Sequence, residues 1–124
     1  MGVQIPNIYV IRKAPWREVA HYVALIPDPV VLNTRSQSIQ SPYFEDLGVP
    51  VEKWDPDSQG VKRLEDLLAL NKNVFIVENF WGGLTYWKDL KAYLSKKNYL
   101  INETNFGTGE AEQLMLIQLR QPKN

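Results

Sequence analysis

The stretch Asn73-Val74-Phe75-Ile76-Val77-Glu78-Asn79-Phe80-Trp81-Gly82-Gly83 decides the fold. Val74 to Val77 is a short apolar run of β-branched and aromatic residues, set between two helical patterns. A run of that length reads as a strand covered on both faces, which a parallel sheet requires. The stretch then turns to polar, aromatic and glycine residues. In open α/β sheets ligands gather at the carboxyl ends of the strands, so a site is expected at this break.

On the upstream side, Val61, Leu64, Leu67 and Leu68 recur at helical spacing and make an inner face. Lys62, Arg63, Glu65 and Asp66 read as the solvated outer face of the same helix. Asp55-Pro56-Asp57-Ser58 supplies the turn and the helix start. On the downstream side a helix is expected over about Leu84 to Ser95, with Leu84, Trp87, Leu90 and Leu94 inward. Tyr86 and Tyr93 flank that stripe. They belong either to the core or, with Trp81 and Tyr9, to a patch for a partner or a membrane interface.

Further out, Val30-Val31-Leu32 is a second strand run and Val49 to Trp54 a third, placed at an edge by Pro50. Pro15 suits the first position of a helix whose inner face is Trp16, Val19, Ala20 and Val23. A short helix with Tyr43, Phe44 and Leu47 ends at Gly48. Tyr99 to Phe106 and Gln113 to Leu119 are strands joined by Gly107-Thr108-Gly109, a link so short that they must be antiparallel. The element order is α-β-α-β-α-β-α-β-β. It predicts right-handed βαβ crossovers and a three-layer α/β sandwich. Numbered along the chain, the three parallel strands lie in the order 2-1-3 (Val49–Trp54, Val30–Leu32, Val74–Val77) and carry a C-terminal antiparallel hairpin, so that the full order is 2-1-3-5-4. Residues 1–13, with Pro6, read as an extended linker or edge segment, and 14–124 as one domain.

The bulk numbers exclude several function classes. The chain has 124 residues and 44% hydrophobic content, enough for a core. Lys plus Arg and Asp plus Glu are 14 each, so the basic surplus of a nucleic-acid binder is missing. Without cysteine there is no disulfide, thiolate metal site or cysteine nucleophile. The one histidine, His21, reads as a surface residue in the body of the first helix, away from the strand ends where a triad would assemble. No Gly-x-Gly-x-x-Gly follows the first strand and no Walker lysine motif occurs, so no nucleotide cofactor is expected. Gly82-Gly83 either makes the turn into the next helix or presents N–H groups to an anion. No catalytic residue, metal ligand or cofactor is assigned. The candidate ligand-binding residues are Asn33, Arg35, Glu78, Asn79 and Trp81, which converge at the carboxyl edge of the sheet and resemble a sugar or sugar-phosphate surface. Ser36, Asp55 and Asp57 stand in the same loops.

Taken along the chain, the motifs resemble a known family. They are Trp16-Arg17-Glu18-Val19-Ala20-His21-Tyr22, Val30 to Asn33, Tyr43-Phe44, the leucines 64, 67 and 68, Val74 to Val77, Leu90 with Tyr93-Leu94, Tyr99 and Phe106-Gly107. The pattern is similar to the soluble C-terminal domain of multi-spanning membrane glycosyltransferases. These use polyprenyl-phosphate sugars and are related to protein mannosyltransferases and aminoarabinose transferases. The resemblance implies a Rossmann-like fold on the extracytoplasmic, periplasmic face of a membrane. It implies as partners the membrane portion of a parent protein and a sugar or lipid-linked sugar. The family's catalytic carboxylates lie in the membrane portion, so none falls on a residue here, and an accessory, non-catalytic role is implied. The alternative reading is an independent small α/β protein, cytoplasmic, that binds a phosphorylated metabolite at the strand ends.

Overall fold

A computed structural model describes residues 16–33, 41–79, 84–107 and 114–122; the side chains at positions 41, 79, 84 and 85 lie outside that description. The elements are α1 (Trp16–Ala24), β1 (Pro29–Asn33), α2 (Ser41–Glu45), β2 (Val51–Lys53), α3 (Ser58–Ala69), β3 (Asn73–Asn79), α4 (Leu84–Lys96), β4 (Leu100–Phe106) and β5 (Leu114–Arg120). The five strands form one sheet in the order β2-β1-β3-β5-β4. β1 runs parallel to β2 and to β3, while β5 runs antiparallel to β3 and to β4. The α/β, Rossmann-like architecture read from the sequence is the one observed.

Alternation along the strands divides the core into two layers. Val30, Leu32, Val74 and Ile76 join Leu64, Leu68, Trp87, Leu90 and Leu94 beneath α3 and α4. Val31, Phe75 and Val77 join Trp16, Val19, Ala20, Val23 and Phe44 beneath α1 and α2. β3 is the axis of both layers, because Val74 through Val77 are all buried. The sequence showed no alternation there for the same reason.

The bounds of β2 differ from expectation. The strand expected from Val49 begins at Val51. Val49 instead closes the end of α2: its N–H donates to Phe44 O at 3.0 Å, after Gly48 takes a left-handed φ of 77°. Pro50 has no N–H but offers its carbonyl to Val31 N at 2.9 Å, so the edge position costs it no ladder bond. The helices α3 and α4 end the same way, with asparagine in the glycine role. Asn71 has φ 60° and Asn98 φ 67°. The N–H groups of Lys72 and Tyr99 reach back to Leu67 O and Leu94 O.

Candidate functional site

The structure places the sequence-derived candidates as follows. Asn33 and Glu78 are both buried, at the carboxyl ends of β1 and β3. The register sets Leu32 beside Ile76, so Asn33 stands level with Val77. Val77 faces α1, whereas Ile76 faces α3 and α4. By alternation Asn33 shares the α1 side and Glu78 the α3–α4 side. The two ends are adjacent and leave the sheet on opposite faces; the cleft expected above them is walled by Trp81, which lies outside the described residues. Asn79 pairs through its backbone with Leu114. Its side chain, together with Arg35, Ser36 and Trp81, lies outside the described residues. His21 is exposed on α1, on the far side of the sheet from Glu78.

The α3–α4 side holds a groove of about 600 Å³. Asp57 sets its upper end. It caps α3 by accepting from Gly60 N at 2.8 Å, and this fixes where the helix starts. Trp54 anchors the same turn, its indole N–H donating to Gly60 O at 2.7 Å. From that start α3 contributes Val61, Lys62 and Glu65 to one wall of the groove, and Pro56 and Ser58 line its upper end. The other wall is α4, through Tyr86, Asp89, Leu90 and Tyr93. Residues 86, 89, 90 and 93 follow the i, i+3, i+4, i+7 pattern of one helix face.

Tyr86 ties the groove to the sheet. Its ring meets Trp54 edge-on at 6.1 Å between centroids. Its hydroxyl is shut off from solvent and faces the Glu78 carboxylate. Burial first, and then the carboxylate of Glu78, holds this phenol well above its ordinary pKa, so it stays protonated. Glu78 therefore does bear on a candidate site, from beneath and through Tyr86.

Glu65 organises the lower end. Tyr93 Oη donates to its Oε2 at 3.0 Å, Tyr99 Oη to Oε1 at 3.2 Å, and Lys97 Nζ to Oε1 at 2.9 Å. Partial burial pushes the Glu65 carboxyl up, but the bonds from Lys97, Tyr93 and Tyr99 outweigh it and hold the group below the usual carboxylate range. Lys97 Nζ also lies 4.9 Å from the centre of the Tyr93 ring. The reading of Glu65 as a solvated outer-face residue is corrected here: it is half-buried and receives three donors. The signal was present. Positions 61, 64, 65 and 68 make an i, i+3, i+4, i+7 stripe, and Glu65 occupies a slot where an apolar residue belongs.

Chemically, the groove offers carboxylate acceptors at Asp57, Glu65 and Asp89, hydroxyls at Ser58 and Tyr93, and ring and aliphatic surface between them. Lys62 is the one cation among its described lining residues. Among the described residues no cluster of three or more His, Cys, Asp or Glu is arranged to hold a metal, and no helix is long and apolar enough to cross a membrane. Comparison with family models, with curated proteins and with solved structures finds no match to this chain. The site thus rests on its own geometry: an open, acid-rich, tyrosine-lined groove between two helices, reaching from the start of α3 to the last turns of α4.

Proposed function

We propose that this chain is a non-catalytic accessory domain of a membrane glycosyltransferase, and that it holds sugar hydroxyls in the α3–α4 groove. The observation that carries the reading is the lining itself, with the Tyr86 and Tyr93 rings set beside Asp57 and Asp89. Carboxylates accept from vicinal hydroxyls, and phenol rings offer apolar surface to the C–H face of a pyranose. The family resemblance of the sequence supports the larger frame, with the membrane portion of the parent as partner and an extracytoplasmic setting. A phosphorylated metabolite, which the alternative reading places at the strand ends, fits this groove less well. Three carboxylates line it against Lys62, with Lys97 paired to Glu65, and a phosphate would still meet more repulsion than attraction.

Hydrogen bonds to carboxylates contribute about 1.5–3 kcal/mol net each, and less in an open, solvated groove, so a few of them give binding on the order of millimolar. A chemical-shift titration tests the site. Mannose and glucose at tens of millimolar should move the amides of Val61, Asp89 and Tyr93, and Asp89→Asn should weaken the effect. Shifts confined to Asn33, or no shifts, overturn the groove reading. Larger shifts with sugar phosphates than with sugars favour the alternative. The purified chain should not turn over a lipid-linked sugar donor, and turnover above the buffer blank would refute the accessory role.

A further inference from the structure

We infer that the Glu65–Tyr93 end of the groove is an ammonium site, filled in the free domain by Lys97 and open to capture by a small molecule bearing a primary amine. The inference rests on the groove being a ligand site. It names the charge of the group that the lower end accepts.

The geometry is that of a cation pocket occupied by the protein's own side chain. The Glu65 carboxylate is aimed by two phenol donors, Tyr93 at 3.0 Å and Tyr99 at 3.2 Å. The Lys97 ammonium sits against one oxygen at 2.9 Å and over the Tyr93 ring at 4.9 Å. A carboxylate and an aromatic face together match an ammonium group in both charge and quadrupole. Glu65 and Tyr93 also line the groove, so the pocket has a groove side as well as a Lys97 side. Tyr99 is held protonated by partial burial and by the Glu65 carboxylate, so its hydroxyl remains a donor while the ammonium exchanges.

Lys97 is an occupant within reach of solvent. Its side chain is 47% exposed, and exposed ion pairs are loose and screened by salt. An incoming amine takes over its two contacts and releases it to water. The rest of the groove favours the exchange. Asp57, Glu65 and Asp89 outnumber Lys62, and Asp89 lies one helical turn before Tyr93 on the same face of α4. The charge that attracts an amine repels a phosphate.

The test uses the whole chain and four small probes: putrescine, butane-1,4-diol, inorganic phosphate and mannose. Putrescine should shift the amides of Glu65, Tyr93 and Lys97, and the diol, of equal length, should not. Lys97→Met removes the internal competitor and should tighten putrescine at least threefold. Glu65→Gln should weaken it tenfold or more. Lys97 is a surface side chain, so Lys97→Met keeps the test valid even where Glu65→Gln disturbs folding. Equal shifts from putrescine and the diol, or unchanged putrescine affinity in Lys97→Met, overturn the inference. If mannose shifts the groove and putrescine does not, the ammonium site fails and the sugar reading stands. If no probe shifts it, both fail.

Discussion

Gly60 sits in the first turn of α3, where alanine is normally the better helix former by about 1 kcal/mol. Here the sign reverses. A Cβ on Gly60 would lie 1.7 Å from the Asp55 carbonyl oxygen and 3.0 Å from the Trp54 indole nitrogen. The first neighbour is backbone and has no rotamer to escape into. Gly60 N is meanwhile committed to Asp57 and Gly60 O to Trp54. Gly60→Ala should therefore destabilise the domain by about 3 kcal/mol, the upper end for overpacking. Asp57→Ala should cost about 1 kcal/mol through the lost cap. Urea midpoints at constant slope measure both, and a Gly60→Ala variant as stable as the parent would show that the turn relaxes. The cap was legible in Asp55-Pro56-Asp57-Ser58. The glycine was not, because its constraint comes from a residue five positions back that only the folded turn brings close.

Two carboxylates join elements that the backbone alone would leave loosely coupled. Glu65 on α3 holds α4 through Tyr93 and Lys97. Glu103 on β4 holds α4 from the sheet side, accepting from Trp87 Nε1 at 2.9 Å and pairing with Lys91. Partial burial raises the Glu103 carboxyl, but the bonds from Lys91 and Trp87 outweigh it and hold the group below the usual range, as happens at Glu65. A carboxyl depressed in the folded state stabilises above its unfolded pKa, and that contribution is lost as pH falls through the folded value. Stability should therefore be level near neutrality and decline once pH drops below about 4.5. Replacing Glu65 and Glu103 together by glutamine should lower stability at pH 7 and flatten the acid decline. Urea midpoints from pH 7 to pH 3 measure this, and an unchanged slope in the double variant would remove these groups from the account. Helical period alone marks Glu65 as anomalous, but it does not say which donors the anomaly serves. Tyr93 comes from α4 and Tyr99 from the link between α4 and β4, and the fold decides that they meet α3.

At the scale of the whole chain, the sheet order was legible because each parallel strand is an apolar run bracketed by helical patterns, and the hairpin because its link is short. The facing of strand ends was not. Asn33 and Glu78 were grouped by position along the sheet edge, but period-two alternation separates them as soon as the register is fixed. That register, Leu32 beside Ile76, depends on backbone pairing between distant strands and leaves no mark in either segment. The same alternation makes β3 the link between the two helical layers. Phe75 is fully buried toward α1, and Ile76, next in sequence, is fully buried toward α3 and α4. Removing most of one side chain should therefore unfold both layers together. Phe75→Ala should cost about 3–5 kcal/mol, a large part of the roughly 5–15 kcal/mol of a typical domain. Trp16 reports on the α1 layer, and Trp54 and Trp87 report on the other. Fluorescence of variants that retain one reporter each should give coincident urea transitions, shifted equally by Phe75→Ala. If the Trp16 signal moves while the Trp87 signal holds, the layers are separate folding units and β3 does not couple them.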